Sequence, residues 1–259
     1  MNLYARRNGE GENALIILPG LLGSSANWQT IAKRLGQNRT VYTLDMRNHG
    51  QSPWSDTMDY NSMAGDVMEF IESLDHPRIS LLGHSMGGKV AMRLALSKPE
   101  YIDSLIIADI APVAYEHGFN ELIEPMLALD LPSIKSRADA DAALQASVAN
   151  APIRAFLLHN LTFDKPSGVY IWRPNLAVML ENMPAITGFP VYGTDIFEKP
   201  SLFIYGANSN YVTLASQNTI LQYFPKTSFA KLENAGHWLH AEQPQVFIKS
   251  CEAFLSHNN

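Results

Sequence analysis

The segment Gly83-His84-Ser85-Met86-Gly87-Gly88 places a serine among small residues, directly after the apolar stretch 79–82. A serine on a sharp strand-to-helix turn presents its hydroxyl above a sheet, and small neighbours are required because the turn brings backbone segments close together. Free amides at the start of the following helix can stabilise an oxyanion. This pattern predicts that Ser85 is a nucleophile for acyl transfer and that the N–H of Met86 is one oxyanion donor.

A serine nucleophile needs a base, and histidine accepts a proton near neutral pH. On a strand–turn–helix site the chain order is serine, acid, histidine, so histidines in the first third of the chain are excluded. We predict that the base is His237, which follows the apolar stretch 228–232; His240 is the competing candidate. The His237-x-x-His240 pair has no third ligand nearby in sequence, so we expect no metal site.

There is no carboxylate between Glu198 and Glu233, so the segment that leads up to the predicted base offers no acid, and the acid must come from elsewhere in the chain. A histidine that becomes positively charged benefits from a buried anionic partner, which also fixes its tautomer. Asp109 ends the apolar stretch that follows Ser85 along the chain, and it is the favoured candidate. Asp195 stays open as the alternative.

Short apolar stretches alternate with segments of helical spacing and set the expected scaffold. Near-continuous apolar strands of this kind are typical of a parallel sheet covered by helices on both faces. We therefore predict an α/β fold. The predicted strands are 14–18, 40–45, 79–82, 104–109, 201–205 and 228–232; the predicted helices are 26–36, 61–74, 89–97 and a last helix that begins near Pro244.

The region after Asp109 breaks this alternation. Residues 112–190 hold eight of the 15 prolines and helical patches at 119–129, 137–149 and 152–161, with no strong strand. We predict an α-helical cap, residues 112–195, on a core formed by residues 1–111 and 196–259. We expect both ends of the cap to rejoin the sheet at its carboxyl edge, where open α/β sheets bind ligands.

Composition excludes several classes of protein. The 259 residues carry 25 acidic and 19 basic side chains, a net charge of −6, and 46% of them are hydrophobic. This balance disfavours disorder and nucleic-acid binding. The lone Cys251 is expected to be a core thiol, and there is neither an apolar signal segment near Met1 nor an apolar run long enough to span a membrane. We expect a cytoplasmic protein.

Two further motifs complete a resemblance to the α/β-hydrolases. The segment 19–24, Pro-Gly-Leu-Leu-Gly-Ser, resembles the oxyanion loop of that family with Pro19 in place of histidine, and 45–52 is similar to its Asp-x-Arg-x-x-Gly-x-Ser turn. The resemblance implies an α/β-hydrolase fold and the N–H of Leu21 as second oxyanion donor. In most members the acid follows the strand matching 201–205, where this chain has Ser209.

Taken together, the motifs closely resemble the YbfF-type bacterial esterases, in which the acid is on the earlier strand. The resemblance implies a serine hydrolase without a cofactor that cleaves short to medium acyl esters and some acyl thioesters, such as those of coenzyme A. Carbon–carbon bond hydrolases, proton-abstracting lyases and non-catalytic ligand-binding receptors stay open as alternatives. Candidate pocket residues are Ser24, Trp172, Asn208 and Tyr211.

Overall fold

The computed structural model describes residues 1–116, 119–190 and 195–258. Its strands are β1 (Ala5–Asn8), β2 (Asn13–Leu18), β3 (Thr40–Leu44), β4 (Arg78–His84), β5 (Ser104–Ala108), β6 (Leu161–Asp164), β7 (Val169–Trp172), β8 (Ser201–Gly206) and β9 (Thr227–Leu232). Within the described residues, seven of them form one sheet in the order β1-β3-β2-β4-β5-β8-β9.

All pairs in this sheet are parallel except β1 with β3. The predicted parallel α/β sheet is therefore confirmed. Because β4, β5 and β8 are parallel neighbours, the residues that follow them meet at one edge of the sheet. This register alone brings Ser85, which follows β4, close to Asp109, which follows β5.

Helices cover both faces of the sheet. They are α1 (Gln29–Leu35), α2 (Tyr60–Glu72), α3 (Met86–Ser97), α4 (Asn120–Leu127), α5 (Arg137–Leu144), α6 (Ala151–Leu158), α7 (Leu176–Glu181), α8 (Met183–Thr187), α9 (Leu214–Tyr223), α10 (Leu239–Glu242) and α11 (Pro244–His257). On β2, Leu15 and Ile17 pack with α1 and α11, whereas Ile16 and Leu18 pack with α2 and α3. Burying each of these side chains stabilises the fold by about 2 kcal/mol. Cys251 is buried on α11, as expected.

The edge strand β1 was not among the predicted strands. Its sequence, Ala-Arg-Arg-Asn, has no apolar run, and it joins the sheet by antiparallel pairing with β3. Charged side chains are typical of edge strands, because they discourage pairing with other chains. The pattern of hydrophobicity consequently gives no signal there.

The segment between β5 and β8, called the insertion below, carries α4 to α8 and is the predicted helical cap. The sequence shows no strong strand in this region, and the structure adds a short antiparallel hairpin of β6 and β7 in which Leu161 pairs with Trp172. Each strand has only four residues, too few for a clear alternation. Residues 117–118 and 191–194 of the predicted cap lie outside the described residues.

The insertion does not return to the edge that it leaves. Since β5 and β8 are parallel neighbours, the chain leaves β5 at the carboxyl edge and enters β8 at the opposite edge. The expectation that both ends meet the carboxyl edge is therefore wrong. The insertion nevertheless covers the carboxyl edge of the sheet, because its residues Phe119 and Phe156 line a cavity together with Ser85.

Candidate active site

Ser85 stands on a strained turn between β4 and α3. Its φ is +53°, a left-handed conformation that residues other than glycine rarely adopt. The turn is tight: a Cβ at Gly83 would lie 2.3 Å from the carbonyl oxygen of Gly87, and one at Gly87 would lie 2.2 Å from that of Leu18. The small residues around the serine are therefore required by the close approach of three backbone segments.

Ser85, His237 and Asp109 form a continuous chain of hydrogen bonds. The Ser85 hydroxyl donates to Nε2 of His237 over 3.0 Å, and Nδ1–H of His237 donates to Oδ2 of Asp109 over 2.8 Å. Ser85 and Asp109 are buried, and the His237 side chain is 12% exposed. The imidazole thus faces the serine in the tautomer that accepts its proton.

The Asp109 carboxylate is fixed by two further donors from the β8 side. The N–H of Gly206 donates to Oδ1 over 3.1 Å, and the Ser209 hydroxyl donates to Oδ2 over 2.5 Å. Asp109 has a φ of +52°, so the turn after β5 is strained like the turn that carries Ser85. Ser209 occupies the position where the resemblance to the α/β-hydrolases places the acid. Here it donates a hydrogen bond to Asp109, the carboxylate that follows the neighbouring strand β5.

Asp195 lies elsewhere. Its carboxylate is 43% exposed and forms an ion pair with Arg93 over 3.8 Å. The carboxylate that contacts His237 is therefore Asp109, and Asp195 makes no contact with that ring.

Leu21 and Met86 flank Ser85 and line one cavity with it. Gly20 lies so near that a Cβ there would be 3.1 Å from Cβ of Ser85. The loop is held by His49, whose Nδ1–H donates to the carbonyl of Arg47 and whose Nε2 accepts the N–H of Leu22 over 3.0 Å. Burial lowers the pKa of His49 to about 4, so the ring is neutral and able to accept that bond.

Two buried histidines support the loop that carries His237. Nε2–H of His84 donates to the carbonyl of His237 over 2.8 Å, and His240 stacks on Trp28 with ring centroids 4.2 Å apart. Burial lowers the pKa of His84 well below its ordinary value and lowers the pKa of His240 to about 3. Both rings are neutral at pH 7 and have packing positions, so His240 is not placed as the base.

Two cavities open at Ser85. The inner cavity is lined by Tyr60, Lys89, Tyr115, Ile186 and Tyr211, and the outer cavity by Asn27, Trp28, Phe119, Phe156 and Trp238. Tyr211 also stacks on His237 with ring centroids 4.1 Å apart. Of the four predicted pocket residues, Tyr211 is the one that reaches either cavity.

The other three predicted pocket residues lie away from Ser85. Trp172 is buried inside the insertion, where its indole N–H donates to the carbonyl of Met126 over 2.9 Å. Asn208 is exposed, and Ser24 lines a separate cavity on the outer side of the oxyanion loop. The prediction that Ser24, Trp172 and Asn208 line the pocket at Ser85 is therefore not met, because none of the three lines either cavity there.

Lys89 is a site residue that the sequence analysis missed. It follows Ser85 by one turn of α3, is 1% exposed, and donates to the carbonyls of Thr187 and Gly188 over 2.8 and 2.7 Å. Its ammonium lies 4.7 Å from the ring centre of Tyr115, and burial lowers its pKa to about 7. A lysine four residues after the nucleophile on an apolar helix was the available signal.

The comparisons with known proteins agree with this fold. The model of the alpha/beta hydrolase fold family matches residues 13–244, and the chain belongs to that family. Like several of the relatives that it matches, it is a hydrolase of the carboxylesterase type.

The similar proteins extend along nearly the whole chain. The sn-1-specific diacylglycerol lipase ABHD11 of Danio rerio is 37% identical over 96% of this chain and 80% of that protein. Esterase YbfF of Escherichia coli is 30% identical over 99% of both chains. The solved structure of a marine microorganism esterase matches with a TM-score of 0.94, 37% identity, and coverage of 98% of this chain and 99% of that one.

No helix formed by residues 1–116, 119–190 and 195–258 combines the length and apolarity that a membrane crossing needs. In the same part of the chain, no group of three or more His, Cys, Asp or Glu side chains is arranged to hold a metal ion.

Proposed function

We propose that the protein cleaves carboxylic esters through an acyl-enzyme intermediate on Ser85. His237 accepts the hydroxyl proton as Ser85 attacks the carbonyl carbon, and Asp109 orients the imidazole and stabilises its positive charge. The amides of Leu21 and Met86 hold the oxyanion of the tetrahedral intermediate. His237 then protonates the leaving alcohol, the acyl group stays on Ser85, and an activated water molecule releases it in a second round.

The observation that carries this proposal is the chain of bonds from Ser85 through His237 to Asp109. Its two distances, 3.0 and 2.8 Å, lie within the range for proton transfer and for orientation of a base. The bonds from Gly206 and Ser209 hold the Asp109 carboxyl group in the position where it accepts the Nδ1–H of His237.

The two cavities suggest where each half of the ester binds. The inner cavity is lined mainly by aromatic and aliphatic side chains and has a small volume, about 30 Å³. Short acyl groups fit such a pocket with smaller side-chain shifts than long ones. The outer cavity borders a larger one of about 590 Å³ through Phe156 and Trp238, so the leaving group binds on that side.

Thioesters are included in the proposed substrates. The same tetrahedral intermediate forms on a thioester carbonyl, and a thiolate leaves without full protonation by His237. A small-molecule ester or thioester with a short to medium acyl group is thus the proposed substrate class.

The test is covalent labelling with a fluorophosphonate together with the release of nitrophenol from acyl esters. Wild-type protein should be labelled and should show a burst, because acylation precedes a slower hydrolysis. Ser85→Ala should lose both, whereas Ser73→Ala, a change at an exposed serine, should keep both. Labelling that survives in Ser85→Ala contradicts the proposal; absence of ester cleavage by the wild type favours a lyase or a receptor.

A further inference from the structure

Three arginines from separate parts of the chain line one cavity next to the oxyanion loop. Arg6 is on β1, Arg137 begins α5, and Arg173 follows β7. The cavity, called the basic cavity below, has a volume of about 210 Å³ and is also lined by Ser24 and Ser25. In a chain of net charge −6, this local excess of positive charge needs an explanation.

None of these three guanidinium groups has a carboxylate oxygen within 4 Å among the described residues. The two buried arginines of the described residues pair with acids, Arg47 with Asp66 and Arg154 with Asp141. Arg137 and Arg173 are exposed and Arg6 is half-buried, so a ligand can reach them from solvent. The one acid that lines the basic cavity, Asp45, already accepts the N–H groups of Ser25 and Gln51. Three guanidinium groups against one carboxylate give the lining of the basic cavity a net positive charge.

The arginines are held by neutral groups. Arg6 donates to the Ser25 hydroxyl over 3.1 Å, and Arg173 lies 3.4 Å from the Thr162 hydroxyl. Arg137 donates to the carbonyls of Leu158 and Leu161 over 3.0 and 2.8 Å. Each guanidinium carries five N–H donors, so these bonds leave donors for a ligand.

The basic cavity continues the path of the leaving group. The loop after β2 borders both cavities. Its residues Gly20, Leu21 and Gly23 line the outer cavity, and the next two residues, Ser24 and Ser25, line the basic cavity. His159 lines both the basic cavity and the 590 Å³ cavity. That larger cavity in turn shares Asn27, Phe156, Trp238 and His240 with the outer cavity at Ser85. A long leaving group can run from Ser85 to the arginines along the surface.

We infer that the basic cavity binds a phosphate group on the alcohol or thiol part of the substrate. Guanidinium groups form paired, charge-assisted hydrogen bonds with phosphate oxygens, and three unpaired arginines suit a dianion. The inference rests on the proposed function, because it concerns the leaving group of that reaction. Two sources share this chemistry: a phosphorylated thiol of the coenzyme A kind, and a phospholipid headgroup.

The binding test uses Ser85→Ala protein and calorimetry with adenosine 3′,5′-bisphosphate, glycerol 3-phosphate and inorganic phosphate. We expect one of the organic phosphates to bind more tightly than inorganic phosphate, and which one does so identifies the source. The substitution Arg173→Gln should raise the Kd of the preferred organic phosphate roughly tenfold. The double variant that carries both Arg6→Gln and Arg173→Gln should raise that Kd further. Arg7→Gln, a change of the exposed neighbour on β1, is the control and should bind like the parent. Equal binding by all variants, or no binding, overturns the phosphate site.

The kinetic test compares butyryl-coenzyme A with the butyryl thioester of N-acetylcysteamine, which has the same reacting group and no phosphate. We expect the ratio of their kcat/KM values to fall roughly tenfold in Arg173→Gln and to stay constant in Arg7→Gln. Added salt should lower the ratio for the wild type, because it screens exposed charges. A ratio that is unchanged in Arg173→Gln, together with no phosphate binding, overturns the site while leaving ester hydrolysis intact. Failure of the wild type to cleave either thioester or a nitrophenyl ester overturns the proposed function instead.

Discussion

The core and the insertion form the site in different ways. On the core side, Ser85, Asp109 and His237 follow strands of one sheet, and hydrogen bonds of 2.5 to 3.1 Å fix their polar atoms. On the insertion side, Phe119 and Phe156 reach the site through aromatic side chains that form no hydrogen bonds. We therefore expect the core to determine the chemistry and the insertion to determine which substrates fit beside it. Changes on the core side should alter kcat by orders of magnitude, and changes on the insertion side should alter KM by small factors.

The largest expected effect comes from the acid. Asp109→Asn keeps the shape of the side chain but removes the anion that orients and stabilises charged His237, so kcat should fall on the order of 10⁴-fold. Steady-state hydrolysis of nitrophenyl butyrate measures this. Asp195→Asn is the matched control, since its exposed ion pair with Arg93 contributes little. A large loss in Asp195→Asn and a small one in Asp109→Asn would reverse the assignment.

A rescue sharpens the same experiment. The Ser209 hydroxyl shares Oδ2 of Asp109 with Nδ1 of His237, so a carboxylate at position 209 comes within reach of the imidazole. Adding Ser209→Asp to Asp109→Asn should restore activity roughly 10- to 100-fold over the single variant. No recovery in a folded double variant would show that only the strand β5 can position the acid.

Low pH should reduce the free energy of unfolding, because the fold buries neutral histidines that become protonated when the chain unfolds. The pKa is about 4 for His49 and about 3 for His240, below the unfolded value of about 6.5. The unfolded chain binds more protons between these values, so stability is complete above pH 6.5 and is lost as the pH falls. At pH 4.5 each histidine should lower the free energy of unfolding by about 2.5 kcal/mol.

Urea unfolding at pH 7 and pH 4.5 measures this loss. His240→Phe should reduce the difference between the two pH values, because phenylalanine keeps the stacking on Trp28 and cannot be protonated. It also removes Nδ1, which has no hydrogen-bond partner among the described residues. His257→Gln, a change at an exposed histidine, should leave the difference as it is. An equal pH effect in His240→Phe would contradict the linkage.

The smallest effect is expected on the insertion side. Phe156 lines the outer cavity and contacts Trp238, with ring centroids 6.1 Å apart. Phe156→Ala should raise KM roughly fivefold for a naphthyl ester and change kcat less than twofold, because apolar contact area is lost but the reacting groups stay in place. Phe163→Ala, at an exposed position on β6, is the control. A fall in kcat that exceeds the rise in KM would show that the insertion positions the reacting groups.

The sequence predicts the core better than the insertion for a physical reason. Strands such as β2 and β4 are buried on both faces, so they appear as apolar runs, and the serine turn requires small residues that can be read directly. The absence of carboxylates between Glu198 and Glu233 directs attention to Asp109, which the structure places beside His237. These features depend on local sequence alone.

The features that escaped prediction depend on distant partners. The hairpin β6–β7 is short and is recognisable only once its two strands are paired. Trp172 has the composition of a pocket residue, but its partner is the carbonyl of Met126, far away in sequence. In the sequence, Lys89 is only a polar residue on an apolar helix. Its role becomes visible when the structure shows that the carbonyls of Thr187 and Gly188 accept its hydrogen bonds.

The bonds of Lys89 have a mechanical consequence. Lys89 belongs to the helix that begins after Ser85, and its acceptors end α8 of the insertion, so the nucleophile helix and that end of the insertion are fastened together. Separating these two elements would break both hydrogen bonds of the Lys89 ammonium, which adds to the cost of that movement. We therefore expect substrate and product to pass through the outer cavity, between the aromatic side chains of Phe156 and Trp238.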